Sequence, residues 1–247
     1  MGVAVLDTAT GAPVSYKGDE RFPMCSTFKL LAAAAVLARV DQGLEQLDRR
    51  IAFGPSDLLE YAPVTRARIA EGSMSLVDLC HAAITVSDNT AANLILGTFG
   101  GPPGLTAYIR SLGDSTTRLD RNEPALNEAL PADVRDTTTP LALLGDMHQL
   151  LVGNALSTIS RETLTAWLVA NTTGSSRLRA GLPAAWRIGD KTGSGGHGTQ
   201  NDVAIIWPSG GHPILVAAYL TESTAGPSAR DAILADVARI ATDTSTI

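Results

Sequence analysis

Lysine is scarce in this sequence of 247 residues, whose 19 basic residues include only three lysines, at positions 17, 29 and 191. Cysteine and histidine are also rare, with two and four residues. Two cysteines cannot form a disulfide framework, and the histidines lack the spacing of metal ligands, so neither a disulfide-rich fold nor a metal site is predicted. The net charge is −6 with no block of basic residues. This argues against nucleic acid or an anionic membrane as a partner.

Long apolar runs are missing as well. The longest, from Leu30 to Ala38, has about half the length that a membrane-spanning helix needs. No charged-then-apolar leader opens the chain, so we expect no signal peptide in it. The composition, with 45% apolar and 18% charged residues, is typical of a soluble globular protein. The length suffices for one large domain or two modest ones.

Strand patterns lie at the two ends of the chain, and helical patterns lie between them. Residues 2–16 predict a β-hairpin and residues 184–220 predict further strands, while Ser75 and Pro140 mark helix starts in the middle. The predicted fold is α/β (α+β) with two domains: an antiparallel sheet formed by both termini with flanking helices, plus an inserted all-helical domain. We place the first domain at residues 1–25 and 178–247 and the second at 26–177, with a site at their seam.

The first motif suited to chemistry is the pair Ser26 and Lys29, three residues apart at the start of a predicted helix. A lysine can take the proton of a serine nucleophile once its pKa is lowered, whereas arginine stays charged. The alternative is a helix-capping serine followed by a solvated lysine.

Two further motifs have similar competing explanations. Ser87-Asp88-Asn89 lies where an apolar segment meets the next helix, and this triplet is also ordinary capping chemistry. In GDKTGSGG, residues 189–196, glycines allow close approach by a ligand, and a cation with two hydroxyls forms a good receptor for a carboxylate. The alternative there is a glycine-rich turn with an exposed lysine.

A long polar stretch, residues 118–139, has no sustained periodicity and contains Glu123 and Asn127 four residues apart. Such a loop inside a compact region is usually functional. In a helical turn this spacing would aim both side chains at one point, where they could hold a water molecule. On composition alone, ordinary loop polarity is the simpler explanation.

Together these motifs, in this order, resemble those of the class A serine β-lactamases. The similarity includes RFPMCSTFK, NEPALNEALPADVRDTTTP, NTTG and DKTGSGGHGTQNDVAIIWP. It implies hydrolysis of the β-lactam amide bond of penicillins and cephalosporins through an acyl-enzyme on Ser26. A water held by Glu123 and Asn127 would then free the enzyme, without a cofactor. The family also implies a small-molecule β-lactam as the only partner, a monomer, and a secreted or periplasmic location.

The resemblance also assigns roles to single positions. The implied catalytic residues are Ser26, Lys29, Ser87, Glu123 and Asn127. The implied substrate-binding residues are Tyr61, Asn89, Arg177, Lys191, Thr192, Gly193 and Ser194. Whether the lysine or the glutamate takes the proton during acylation stays open.

Three structural details are implied as well. They are an oxyanion hole made by the backbone N–H groups of Ser26 and Ser194, an ion pair between Arg121 and Asp136, and a cis bond before Pro124.

The sequence departs from the family pattern in two respects. Members usually begin with a helix that packs on the last helix, and here Met1 leads directly into the first strand. We therefore expect this N-terminal helix to be absent, an uncovered apolar side on the C-terminal helix, and lower stability. Some members pair the positions of Cys80 or Cys25 in disulfides, but the matching partners are Ala33 and Gly195. Both thiols should be free, and without the second bridge we do not expect carbapenem hydrolysis.

Two alternative functions share part of the motif set. A penicillin-binding D-alanyl-D-alanine peptidase lacks the Glu-x-x-x-Asn loop, and a β-lactam sensor domain is acylated once and is normally fused to a membrane segment. The presence of Glu123 and Asn127 favours the hydrolase.

Overall fold

The computed structural model describes residues 1–242. The α-helices in this range are α1 (Phe28–Asp41), α2 (Pro63–Ala67), α3 (Leu76–Thr85), α4 (Asn89–Gly97), α5 (Gly101–Ser111), α6 (Pro140–Leu151), α7 (Thr158–Val169) and α8 (Pro227–Ala241). The strands are β1 (Gly2–Asp7), β2 (Pro13–Tyr16), β3 (Phe22–Pro23), β4 (Arg50–Ala52), β5 (Ser73–Ser75), β6 (Thr137–Thr138), β7 (Arg187–Ser194), β8 (Gln200–Trp207) and β9 (Ile214–Leu220). Short 3₁₀ turns include Cys25–Thr27 and Ala125–Asn127.

Both ends of the chain contribute to one antiparallel sheet, with the strand order β2-β1-β9-β8-β7. The N-terminal hairpin joins the C-terminal strands through the pairing of β1 with β9, in which Ala4 faces Ala217. The helices α1 to α7 all lie between β2 and β7 in the chain. The predicted fold class, α/β with a sheet built from both termini and an inserted helical region, is therefore confirmed.

The two faces of the sheet serve two separate apolar cores. Because side chains alternate along a strand, Val203 and Ile205 of β8 join the larger core that surrounds α1. The alternate residues Ala204 and Ile206 pack instead into a smaller core under α8. Since both faces are covered, β8 and β9 are buried along almost their whole length.

Helix α1 is the centre of the larger core. Its residues from Phe28 to Ala38 are all buried, as expected of a helix that is apolar on every side. The helix begins two residues later than predicted, because residues 25–27 form a 3₁₀ turn. Thr27 Oγ1 donates to Met24 O at 2.8 Å within this turn. Ser26 therefore lies in the turn and is not a helix cap.

The predicted helix starts agree with the structure. Ser75 accepts the N–H of Asp78 at 3.3 Å, and Pro140 is the first residue of α6, capped by Thr139. The carboxylate of Asp78 binds the guanidinium of Arg68 at 2.9 Å.

An apolar groove of about 350 Å³ runs between the hairpin and α8. Val14, Tyr16 and Ile240 on its walls are each more than 60% exposed. Within residues 1–242, the C-terminal helix thus has the expected apolar side that no other segment covers, while the lower stability stays a prediction. Among residues 1–242, no helix is long and apolar enough to cross a membrane.

Candidate active site

Ser26 and Lys29 meet as the motif predicts, although by a different local structure. The 3₁₀ turn at residues 25–27 leads directly into α1, and Lys29 lies in the first turn of that helix. Lys29 Nζ donates to Ser26 Oγ at 2.9 Å. The hydroxyl in turn donates to Glu123 Oε1 at 3.2 Å. The serine is therefore in contact with two groups that can accept its proton.

Lys29 is completely buried and surrounded by oxygen atoms. Its ammonium lies 3.0 Å from Glu123 Oε1 and donates to Asn89 Oδ1 at 2.6 Å and to the carbonyl of Ser87 at 2.9 Å. Burial lowers the pKa of Lys29, and the neighbouring carboxylate of Glu123 opposes that change. The alternative of a solvated lysine is wrong, because its exposed fraction is 0%.

The Ser-Asp-Asn triplet divides into a structural residue and two site residues. Asp88 caps α4 by accepting the N–H of Ala91 at 2.9 Å and also binds the backbone N–H groups of residues 64 and 65. Ser87 adopts φ 58°, and its Oγ accepts from Lys29 Nζ and from Lys191 Nζ, each at 3.2 Å. The capping alternative thus holds for the aspartate, while its two neighbours line the cleft.

The long loop brings Glu123 and Asn127 together. Glu123 precedes a cis bond to Pro124, as predicted, and the following 3₁₀ turn lets Asn127 Nδ2 donate to Glu123 Oε2 at 2.5 Å. The other amide atom, Oδ1 of Asn127, is buried and has no hydrogen-bond partner within residues 1–242.

The predicted ion pair fixes the ends of this loop. Arg121 Nε lies 2.6 Å from Asp136 Oδ2, whose side chain is 1% exposed. The other oxygen of this carboxylate, Oδ1, accepts the N–H groups of both Asp120 and Arg121. Asp136 lies near the C-terminal end of the loop and binds residues near its N-terminal end. This contact therefore joins the two ends of the loop.

Strand β7 forms the opposite wall of the cleft. Lys191 is fully buried, so the alternative of an exposed lysine in a glycine-rich turn is wrong. Burial, followed by the nearby Lys29 ammonium, lowers the pKa of Lys191 to about 7. At Gly193, an added Cβ would lie 2.8 Å from Met24 O, so only glycine lets the strand pass so close to the turn that holds Ser26.

Arg177 supports the end of this strand from behind. Its guanidinium donates to Ser194 Oγ at 2.7 Å, to Gly193 O at 2.8 Å and to Asn201 O at 2.7 Å. Asp231 of α8 pairs with the same guanidinium at 3.0 Å.

The twelve positions that the sequence analysis assigned to catalysis or substrate binding lie in or just behind one cleft of about 340 Å³. Those that line it are Ser26, Tyr61, Ser87, Asn89, Asn127, Arg177, Thr192, Gly193 and Ser194. Lys29, Glu123 and Lys191 lie just behind this lining, through the hydrogen bonds to Ser26 and Ser87. Tyr61 is 52% exposed, in agreement with a position at the cleft's edge.

Comparison with known proteins agrees with this geometry. Residues 1–245 match the family model described as the Beta-lactamase enzyme family. The chain is 50% identical to β-lactamase AST-1 of Nocardia asteroides over 98% of this chain and 78% of that protein. It is 46% identical to β-lactamase CTX-M-8 of Citrobacter amalonaticus over 98% of this chain and 83% of that protein.

Solved structures give the same result. An ancestral (GNCA) class A β-lactamase superposes with a TM-score of 0.95 at 64% identity, covering 96% of this chain and 91% of that one. The chain belongs to the class A serine β-lactamases. It is therefore a serine hydrolase that opens β-lactam rings, and this membership decides against the peptidase and sensor alternatives.

Sequence reasoning missed two residues of this β-lactamase site. Asn93 of α4 holds the backbone of Glu123 on both sides, since its amide donates to Glu123 O and accepts from Glu123 N, each at 2.9 Å. Thr173 lines the cleft and its hydroxyl lies 2.5 Å from that of Thr192. Neither contact has a local sequence signal, because the partners are 30 and 19 residues apart.

The two cysteines of the β-lactamase are free and buried, as expected. Burial raises the pKa of the Cys25 thiol to about 12, so it stays protonated beside the nucleophile. An added Cβ on Gly195 would lie 2.6 Å from Cys25 Sγ. The position that forms a bridge in some members is thus close enough here, and only the second thiol is lacking.

Proposed function

We propose that this β-lactamase hydrolyses penicillins and cephalosporins through an ester on Ser26 Oγ. The observation that supports this most is the contact of one serine hydroxyl with both Lys29 Nζ at 2.9 Å and Glu123 Oε1 at 3.2 Å. A serine becomes a nucleophile when such a base takes its proton. This residue pattern is also the one that the family's motifs assign to acyl transfer.

In acylation, Ser26 Oγ attacks the lactam carbonyl carbon, and the ring C–N bond breaks as the ester bond forms. The serine's proton passes first to Lys29 or to Glu123, both of which are within reach. Ser87 Oγ, 3.2 Å from Lys29 Nζ, relays a proton to the departing lactam nitrogen. The backbone N–H groups of Ser26 and Ser194 stabilise the oxyanion, a contribution of about 10²- to 10³-fold per donor.

In deacylation, a water molecule held by Glu123 and Asn127 attacks the ester carbon. Glu123 takes a proton from the water, the ester C–O bond breaks, and the proton passes from Glu123 to Ser26 Oγ, 3.2 Å away, which restores the hydroxyl. The buried Oδ1 of Asn127 has no hydrogen-bond partner within residues 1–242, and this supports the role, because a buried acceptor needs a donor such as water.

Substrate binding follows from the charge of the β7 wall. On this wall, Lys191, Thr192 and Ser194 are proposed to hold the substrate carboxylate. Arg177 supports it from behind, and Gly193 lines the substrate site between them. Lys191 and Arg177 supply positive charge, and hydroxyl groups supply hydrogen-bond donors. Asn89 contacts the substrate's side-chain amide and Tyr61 borders the cleft. Without a bridge from Cys25 to position 195, we expect penicillins and cephalosporins to be hydrolysed in preference to carbapenems.

We further propose that the enzyme acts as a monomer, which gel filtration tests, and that it is secreted or periplasmic, which cell fractionation tests. We also propose that residues 1–25 with 178–247 form one domain and residues 26–177 the other. Limited proteolysis tests this division.

The decisive test is a chromogenic cephalosporin assay under steady-state conditions. Sustained turnover of many equivalents per enzyme supports the proposal, and loss of that turnover in Ser26→Ala supports the nucleophile. One equivalent of colour followed by silence would refute the proposed deacylation. A panel of penicillins, cephalosporins and one carbapenem then measures the substrate range.

A further inference from the structure

A second polar cavity lies outside the active-site cleft. It has a volume of about 390 Å³ and lies between α6 and the turn that follows α5. None of its lining residues belongs to the lining of the cleft. The charged side chains that line it are all acidic, namely Asp19 at the exposed rim and Asp114 and Asp146 deeper inside.

Each of the two deeper aspartates has a buried oxygen with no hydrogen-bond partner within residues 1–242: Oδ2 of Asp114 and Oδ2 of Asp146. Asp146 is 2% exposed. Asp114 is better satisfied, since its Oδ1 accepts the N–H groups of Thr116 at 2.5 Å and Thr117 at 3.0 Å. Both carboxyl groups line the same cavity, and a side-chain hydrogen bond to Asp114 is one of the causes that raise the pKa of Asp146.

The neighbouring charges do not neutralise this pair. Arg110 of α5 is the nearby cation, but its guanidinium donates to the carbonyl oxygens of Asp114 and Thr117, each at 2.6 Å. The other titratable groups near Asp146 are Tyr108 of α5 and Tyr219 of β9, which bring no positive charge. Two neighbouring ionised carboxylates, of which Asp146 is buried and Asp114 half-buried, would repel each other.

One proton placed between the two carboxyl groups would give both unsatisfied oxygens a hydrogen-bond partner. A protonated carboxyl group has an O–H donor, and an ionised one can only accept. A metal ion would need more ligands, and residues 1–242 contain no group of three His, Cys, Asp or Glu side chains placed to hold one. We propose that Asp114 and Asp146 share one proton at neutral pH, with Asp146 as the acid that donates to Asp114.

The electrostatics agree with this assignment. Burial, followed by the charge of Asp114, raises the pKa of the Asp146 carboxyl to about 9. In the unfolded chain an aspartate has a pKa of about 3.9. Between these two values the folded protein holds a proton that the unfolded chain releases. Stability due to this group is therefore complete at acid pH and falls as the pH rises towards 9.

The pair also joins α6 to the base of the catalytic loop. Asp114 Oδ1 holds the N–H of Thr117, whose hydroxyl lies 2.6 Å from that of Thr138. Thr117 immediately precedes the loop of residues 118–139, and Thr138 lies near the end of that loop. If both carboxyl groups ionise, two negative charges lie next to each other where the catalytic loop begins.

The test compares the pH dependence of unfolding in three proteins. Asp146→Asn keeps a donor for Asp114 but cannot titrate, and Asp19→Asn is the control, because it removes one negative charge at the rim of the same cavity. Between pH 5 and pH 8, the unfolding equilibrium constant of the wild type should rise about tenfold per pH unit relative to that of Asp146→Asn. Asp19→Asn should follow the wild type.

A second measurement needs no variant. Titration of the wild type followed by ¹³C NMR of the aspartate carboxyl groups should show one carboxyl that stays protonated up to alkaline pH. Titration of every aspartate at ordinary acid pH would overturn the proposal, and so would equal pH slopes in all three proteins. Stabilisation of the wild type, but not of Asp146→Asn, by millimolar Ca²⁺ or Mg²⁺ would show that a cation occupies the site instead.

Discussion

The sharpest test of the proposed mechanism is Glu123→Gln. The glutamine keeps the size of the side chain and can still accept a hydrogen bond from Ser26, but its amide cannot take a proton from water. Lys29 keeps its contacts to Ser26 Oγ, the Ser87 oxygens and Asn89 Oδ1. Because this buried amine remains beside the nucleophile, we expect acylation to continue while deacylation fails.

The size of the effect follows from the loss of one general base. Positioned acid–base groups contribute about 10²- to 10⁴-fold, so deacylation and kcat should fall by about that factor. If acylation and deacylation were equally fast before, the acylated fraction at saturation would rise from about one half to above about 99%. The value of kcat/KM should change much less, because it reports the steps up to acylation.

Intact-protein mass spectrometry and stopped-flow kinetics measure this directly. After mixing with a penicillin, Glu123→Gln should carry an adduct of the drug's mass on Ser26 and show a burst of one equivalent. Glu128→Gln is a matched control, since it removes a carboxylate from the same loop at a side chain that is 53% exposed. It should turn over like the wild type. Turnover by Glu123→Gln within tenfold of the wild type, with free enzyme in the spectrum, would refute the role of this residue.

Three further predictions test other parts of the structure. Burial and a neighbouring ammonium lower the pKa of Lys191 to about 7, so kcat/KM should fall by up to about tenfold per pH unit above that value. In Lys191→Arg, kcat/KM should not fall in this range, because arginine keeps its charge. Identical pH profiles of the two proteins would contradict the assignment. Gly195→Cys should form a disulfide with Cys25 once the local contacts relax, because its Cβ would lie 2.6 Å from Sγ and 2.7 Å from Asn127 O; a thiol titration that finds three free thiols instead of one would disprove it. Arg121→Ala should lower the free energy of unfolding in a urea titration by about 3–5 kcal/mol, because Asp136 is left buried at 1% exposure; a loss below about 1 kcal/mol would exclude this pairing as a main anchor.

The sequence predicted secondary structure where the hydrophobic pattern is long, and it predicted site residues where several family motifs occur together. Helix α6 begins at Pro140 as expected, because proline favours the first helical position by its own geometry. The short strands β4 and β5 were not foreseen, since pairs of three residues are held by tertiary contacts and have no periodicity. The 3₁₀ turn at Ser26 was missed for the same reason. The Ala-rich pattern predicted that the helix begins at Ser26 itself.

The limits at the site have a similar origin. The motifs identified Lys191 as a site residue, but a glycine-rich segment is also typical of an exposed turn. Only the packed sheet shows that the amine of Lys191 is buried. Asn93 could not be found, since its two bonds to the backbone of Glu123 depend on how the loop folds back on α4. Asp114 and Asp146 were equally hidden, because two isolated acids 32 positions apart in the chain look like ordinary surface charge.

The scarcity of lysine acquires a physical meaning in the folded enzyme. Of the three lysines, Lys17 is exposed and pairs with Glu20, whereas Lys29 and Lys191 are both completely buried. Burial lowers the pKa of each buried amine, so each can lose a proton, which an arginine at the same place would not do. For Lys29 this is the property that proton transfer from Ser26 requires. Lysine therefore occupies position 29, where an exchangeable proton matters, whereas Arg121 and Arg177 supply a permanent charge that holds the structure.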